Sequence, residues 1–402
     1  MSVLAAIESS TLAFLATCAG VALAAGVVLF VLAELATRAW MIRSGPYFVW
    51  APFARTRLEL DRDALPSLPP LAHWEINSQG ERGSEPPADP ARTYRVLVTG
   101  GSAAECYFLD QKDTWAEVVG RELRRPEALR ALGAEHVHVG NAARSLVACA
   151  EIELMLRRTL PRYERLDVVV FLVGASDVVH WLEKSTPARI EEKTIPAAQV
   201  FAWHPEGPFG WGPRTLALRR IASSWNKRLR RPVEVRERAG KRLDDARKMR
   251  QRAKVVLDAT PDPTPMLEHF ETHLRALVEL CRAKGARVVI ARQPWLEKAL
   301  TPEERARLWN FGAGRPYSGE VTTYYAHEAV WKLLAQVDER AVRVAQELGV
   351  EALELNSLVP QDFEHYYDEL HHTPKGCELL GRAVARQIVA GRAAPRVHAS
   401  AR

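Results

Sequence analysis

Residues 94–105 read YRVLVTGGSAAE. A run of β-branched and apolar residues stops at Gly100-Gly101, and Ser102 opens a segment of helix formers. This is the signature of a buried strand that turns sharply into a helix. A Thr-Gly-Gly after a strand also opens many dinucleotide-binding dehydrogenases. The further glycines of that motif would fall on Ala104 and Cys106, and none of the nine tyrosines has a lysine four residues on. The glycine cradle for a pyrophosphate is therefore missing, and a dehydrogenase is excluded.

The same alternation continues outward. Apolar strand patterns recur at 136–141 (HVHVGN), 167–174 (DVVVFLVG), 286–294 (ARVVIARQP) and 350–356 (VEALELN). Helical spacing separates them at 114–123, 150–160, 267–285, 330–349 and 377–391. Near-continuous Val/Leu/Ile strands alternating with helices predict a parallel sheet covered on both faces. Chemistry on such sheets gathers at the carboxyl ends of the strands. That directs attention to Ser102, to residues 141–146, to 174–177, to Gln293 and to the loop before the last helix.

Ser102 has two compatible readings. Ser102-x-x-Glu105 fits a capping box, and a serine raised above a sheet edge is also a nucleophile position. A base is supplied by YYDELHHTPKG at 366–376, where Asp368 lies three residues before His371. That spacing lets a carboxylate orient an imidazole and stabilise its cation. His372 is the rival base. His138, inside a strand pattern, reads as a satisfied core residue.

Taken as an ordered set, these segments resemble the SGNH (GDSL-type) hydrolase superfamily over roughly residues 94–391. GGS at 100–102 is similar to the first block, usually GDS. NAARSL at 141–146 sits where the second block, N-x-G-x-x-G, belongs. VGASD at 173–177 is similar to the third block, GxND, and DELH at 368–371 to the last, DxxH. The resemblance implies a three-layer α/β/α, flavodoxin-like fold of about five parallel strands. It implies Ser102 as nucleophile, His371 as base and Asp368 as its orienting acid. The oxyanion donors would be Ser102, Ala143, Leu146 and Ser176, and Gln293 could touch substrate. Two departures matter. Ser176 replaces the Asn of the third block, and Ala143 and Leu146 replace both glycines of the second. The implied activity is hydrolysis of an acyl ester, O-acetyl included, with no metal or cofactor. An O-acyltransferase on a glycan or lipid acceptor would use the same residues. A catalytically degenerate binding or assembly protein would keep the fold without the reaction.

The flanks add the setting. The chain has 402 residues, with 55 Lys+Arg against 49 Asp+Glu, and five cysteines. Its apolar content excludes a disordered chain, and its few cysteines exclude a disulfide-built one. The net +6 is not spread evenly. Residues 214–254 hold sixteen Lys/Arg and four acids, a net +12, leaving −6 for the remainder. Nothing resembling a nucleic-acid motif accompanies this run, which predicts a solvated helical face or a contact with membrane or an acidic polymer.

Residues 9–33 carry no charge. A bilayer-spanning helix needs about 20 apolar residues. Ala22-Leu23-Ala24 looks like a cleavage site. However, no Lys or Arg precedes the run and it continues past that site, which favours an uncleaved anchor over a signal peptide. Arginines on the C-terminal flank favour a cytoplasmic domain, and the family resemblance favours an extracytoplasmic one. Eight prolines in 45–92 predict a linker. The expected organisation is an anchor and flank at 1–44, a linker at 45–92 and a hydrolase-like domain at 93–392. A basic and aromatic insertion falls at about 184–265 and a tail at 393–402. Phe201, Trp203, Phe209, Trp211 and Trp225 are expected to form a small packed cap in that insertion. The predicted partners are the membrane and an ester-bearing small molecule, glycan or lipid, not nucleic acid.

Overall fold

The computed structural model describes residues 2–206 and 211–393. Phe209 and residues 394–402 lie outside them. By internal contacts the chain divides into two compact units, Met1–Tyr47 with Trp203–Arg230, and Phe48–Ala202 with Arg231–Arg402.

In chain order the strands are β1 (Arg55–Leu60), β2 (Leu71–Glu75), β3 (Thr93–Gly100), β4 (His136–Asn141), β5 (Val168–Leu172), β6 (Val233–Ala239), β7 (Val255–Leu257), β8 (Arg287–Ala291), β9 (Thr323–Tyr325) and β10 (Glu351–Leu353). The central sheet has the order β10-β8-β5-β3-β4, and every neighbouring pair is parallel. Val98 of β3 pairs with Asn141 on one side and Val170 on the other. Every residue of β5 is buried, as expected of a strand covered on both faces. The helix Pro374–Ala393 packs against Trp115–Leu123 and Pro126–Leu132. The helix Thr264–Ala283 packs against Cys149–Thr159 and His327–Leu348. These groups are the two helical layers of the α/β/α sandwich. The first crossover runs outward from β3 to β4 and the next from β4 to β5 on the other side of β3. Strand order thus reverses between β3 and β5, where open α/β sheets leave a crevice for ligands.

The proline-rich segment 45–92 is not a linker. It forms β1 and β2, which pair antiparallel. Leu58, Leu60, Leu65, Leu68 and Trp74 join the main hydrophobic core. The prolines stand outside the two strands, at 46, 52, 66, 69, 70, 86, 87 and 90. They therefore remove no ladder hydrogen bond. The alternate burial of β1 was present in its sequence, RTRLEL, but a proline count over the whole window hides it.

Part of the insertion also joins this fold. Its strand β6 pairs parallel with β1, so that "linker" and "insertion" build one three-stranded sheet. Its described aromatics differ in burial. Phe201 is buried, whereas Trp211 and Trp225 are 61% and 62% exposed.

Candidate active site

Ser102 begins the short helix Ser102–Glu105 directly after β3, with Gly101 at the N-cap and no side chain capping it. The capping-box reading therefore does not hold. The Glu105 carboxylate instead accepts the Ser145 amide, and Ser102 Oγ lies 2.7 Å from His371 Nε2. Arg82, itself buried, donates to the Glu105, Cys106 and Leu109 carbonyls and anchors the end of this turn.

His371 lies in the loop before the final helix. Its Nδ1 is 2.8 Å from Asp368 Oδ2 and 2.9 Å from Oδ1. Asp368 Oδ1 also accepts the amides of Leu370 and His371, at 2.9 and 2.8 Å. Its Oδ2 accepts Trp309 Nε1–H at 2.8 Å. Burial works against the Asp368 charge. The His371 cation and these donors overcome it and hold the carboxyl down to about 2. An ionised carboxylate can only accept, so His371 carries its proton on Nδ1 and offers Nε2 to the serine hydroxyl. Burial pulls the His371 pKa down, but the Asp368 carboxylate outweighs it and raises the value above that of an ordinary histidine. The Tyr367 ring stacks near-parallel to the imidazole at 5.4 Å and 10°, and the Trp309 ring lies near-parallel to it at 6.5 Å and 19°. His372 is set apart. It packs on Tyr366, neither ring nitrogen has a partner among the described residues, and burial drives its pKa down to about 3.

The loop 141–148 faces Ser102 from the end of β4. The Ala142 and Arg144 amides bond to the Val98 and Gly100 carbonyls. The Ala143 amide donates to Asn141 Oδ1 at 2.9 Å. Ala143 is buried and is not part of the cavity wall, so this structure does not present it as an oxyanion donor. Asn141 is the reason, since its side chain folds back on the amide two residues on. Leu146, at φ +63°, does line the cavity. Among the described residues the Leu146 and Ser102 amides have no acceptor.

Ser176 enters from the β5 side, where Gly174 turns the chain at φ +109° into the helix Ala175–Glu183. A Cβ on Gly101 would collide with Ser176 Oγ. The glycine in GGS and the serine in VGASD are therefore coupled: the small residue at 101 makes room for the hydroxyl at 176. Asp177 holds the end of the 141–148 loop by accepting the Cys149 amide at 3.2 Å, and burial pushes its carboxyl up to about 7.

These groups open on a cavity of about 820 Å³. Its wall includes Tyr107, Phe108, Leu146, Trp309 and Tyr317, and residues 236–243 from β6 and the turn after it. A cavity of this size suits a small organic ligand or one end of a larger one.

No protein-family model matches the chain, and no curated protein matches it in sequence. Solved structures similar to it include a protein assigned to the G-D-S-L lipolytic family from Desulfitobacterium hafniense (12% identity, 73% of this chain and 98% of that one, TM-score 0.36). Others are an acetylxylan esterase from Geobacillus stearothermophilus (11%, 73% and 94%, TM-score 0.39) and a carbohydrate acetylesterase from Sinorhizobium meliloti (11%, 74% and 99%, TM-score 0.39). At this distance the likeness carries no chemistry, which rests on the geometry above.

Gln293 is not at this site. Its amide donates to the Pro294 carbonyl at 2.7 Å, and it lines a separate cavity of about 420 Å³ with Arg292, Asp338 and Asn356. His138 is buried beside Glu81, 3.1 Å from its carboxylate, as a core partner. Sequence reasoning missed Trp309 and Tyr367, whose rings lie near-parallel to the imidazole. It also missed two arginines of the basic run. Buried Arg247 donates to the Arg307 and Tyr367 carbonyls at 2.8 and 3.3 Å. Arg250 donates to the Asn310 and Tyr325 carbonyls. Both hold the loops behind His371 rather than facing solvent. Nothing in a charge count separates such arginines from their exposed neighbours.

Proposed function

We propose that this chain is a membrane-anchored serine esterase of the SGNH type. The observation that carries the reading is the continuous hydrogen-bonded line Ser102–His371–Asp368 at the carboxyl edge of the sheet, beside the point where strand order reverses. The order of the four sequence blocks supports it. The N-terminal helix supports the anchor, since Ala13–Ser44 is long and apolar enough to cross a bilayer.

In the proposed reaction His371 Nε2 takes the proton of Ser102 as Oγ attacks the ester carbonyl. Asp368 stabilises the imidazolium that results. The oxyanion is received by the Ser102 and Leu146 amides and the Ser176 hydroxyl. Collapse expels the alcohol, which leaves with the proton from His371. Water, deprotonated by the same imidazole, then releases the acid and restores Ser102. An acetyl or other small acyl group on a polar alcohol fits a cavity with both aromatic and charged walls.

Ser102→Ala in purified protein should abolish hydrolysis of nitrophenyl acetate and labelling by a serine-reactive phosphonate. Retained turnover would overturn the reading. Correct folding of wild-type protein with no labelling at Ser102 would favour the non-catalytic alternative.

A further inference from the structure

The acidic residue that ends the charge-free run is fully buried. Glu34 sits on the N-terminal helix with no exposed surface, whereas every residue from 13 to 30 of that helix is exposed. At 1.5 Å per residue an exposed apolar stretch of this length matches the roughly 30 Å of a hydrocarbon core. Glu34 therefore marks where the helix leaves it. A buried carboxylate at that level is costly unless its oxygens are satisfied. Here they are. Glu34 accepts the backbone amides of Ala217 and Leu218 at 2.7 and 3.0 Å, and Arg38 Nε–H at 2.7 Å. It closes the N-terminus of the helix Ala217–Arg230, where a negative charge is favoured.

That helix is ALRRIASSWNKRLR and contains no acid. At 3.6 residues per turn, Leu218, Ile221, Ala222, Trp225 and Leu229 fall on one arc. Arg219, Arg220, Lys227, Arg228 and Arg230 fall on the rest. Ala222, Trp225 and Leu229 of the apolar arc are exposed, Trp225 at 62% and Leu229 at 74%, while Leu218 and Ile221 are half-buried. Nearby, Arg38 stacks over Trp211 at 4.4 Å and Arg220 over Trp203 at 5.0 Å. Trp40 and Trp211 are themselves exposed. Indoles and cations gathered at the end of an apolar helix are the composition of a headgroup region.

We propose that helix Ala217–Arg230 is an interfacial helix for an anionic bilayer, with Glu34 fixing it beside the exit of the span. The occupant follows from continuity, because the helix is bonded to the first charged residue after the exposed, charge-free run of the anchor. This rests on the anchor reading of the N-terminal helix, and it narrows the +12 run to one amphipathic element. Two arginines of that run, buried Arg247 and part-buried Arg250, serve the hydrolase-like fold instead.

The test uses the full chain in phosphatidylcholine vesicles with and without phosphatidylglycerol. Cys18 is the exposed cysteine and the other four are buried, so a polarity-sensitive fluorophore can be placed selectively. On the native chain a Cys18 probe reports the span. In a Cys18→Ser background, Ala222→Cys and Leu229→Cys report the apolar arc and Ser223→Cys the polar one. Probes at 222 and 229 should shift to the blue with phosphatidylglycerol and be quenched by lipid spin-labelled near the headgroup. The 223 probe should do neither. Reversing Lys227, Arg228 and Arg230 to glutamate should return the 229 probe to its aqueous emission. A Cys18 probe deep in lipid with the 222 and 229 probes still in water would overturn this inference and leave the anchor standing. A Cys18 probe in water would overturn both. A blue shift that needs only higher protein concentration and no lipid would assign the arc to a second copy of the chain and overturn the bilayer.

Discussion

Two arms meet at Ser102 and are built differently. The acid–base arm is made of side chains. Asp368, His371 and Ser102 form one line of bonds at 2.7–2.8 Å, and Trp309 and two amides complete the carboxylate. The oxyanion arm is made mostly of backbone amides, and much of its loop is already engaged. Val98, Gly100, Asn141 and Glu105 take the amides of Ala142, Arg144, Ala143 and Ser145. Leu146, Ser102 and the Ser176 hydroxyl are left. For the proposed reaction the contrast teaches where the vulnerability would lie: the proton path is over-determined, and charge stabilisation would depend on few donors.

The largest effect is expected from the stronger arm. Asp368→Asn should lower kcat on the order of 10,000-fold, because the imidazole loses both its tautomer and the partner of its cation. The pH profile should move as well. The base must be neutral, and Asp368 raises the His371 pKa. Activity in wild type should therefore fall, as pH drops, at a value above the ordinary histidine figure of about 6.5. In the variant that limb should move to lower pH. The measurement is kcat/KM for nitrophenyl acetate against pH. An unmoved limb would show that Asp368 does not set the base.

Smaller losses should come from the other arm. Ser176→Ala should lower kcat by about 100- to 1,000-fold if its hydroxyl is a principal donor, with KM little changed. Gly101→Ala should reproduce part of that loss by pushing Ser176 aside. The double variant should be no worse than Ser176→Ala alone, since both remove the same hydrogen bond. Additive losses would separate the two positions and dissolve the coupling between the departures in the first and third blocks.

The same division explains what the sequence disclosed. The five central strands and their helices repeat an apolar pattern whose periods are set by local geometry, so their alternation and parallel pairing followed from it. Asp368 and His371 are fixed by a three-residue spacing, and the structure brings them to Ser102. Residues 45–92 were misread because pairing between β1, β2 and β6 is non-local, and proline density speaks only for its own position. Ala143 was misjudged because an amide's direction depends on the Asn141 side chain, which a motif match does not report. Trp309 reaches Asp368 across 59 residues from an irregular loop and leaves no periodic trace.

Glu369 offers the smallest and most local test of the acid–base arm. It is buried beside Asp368, with Oε1 accepting the Asn310 amide at 3.3 Å and Oε2 without a partner among the described residues. Burial first, and the Asp368 charge next, push its carboxyl from 4.5 up to about 7. The folded state therefore holds this proton more tightly than the unfolded chain. For an acid raised in this way, stability is greatest below the unfolded value and falls as pH rises from about 4.5 to about 7. Glu369→Gln keeps the shape and removes that dependence. Its unfolding temperature should match wild type near pH 4.5 and exceed it near pH 8, by on the order of a few degrees. Below pH 7 its kcat should stay close to wild type, because Glu369 is then protonated and Asp368 carries the charge facing His371. A variant with unchanged pH-stability would show that Glu369 ionises normally. The two adjacent carboxylates would then share the field at the imidazole, and the acid–base arm would be less singular than its hydrogen bonds imply.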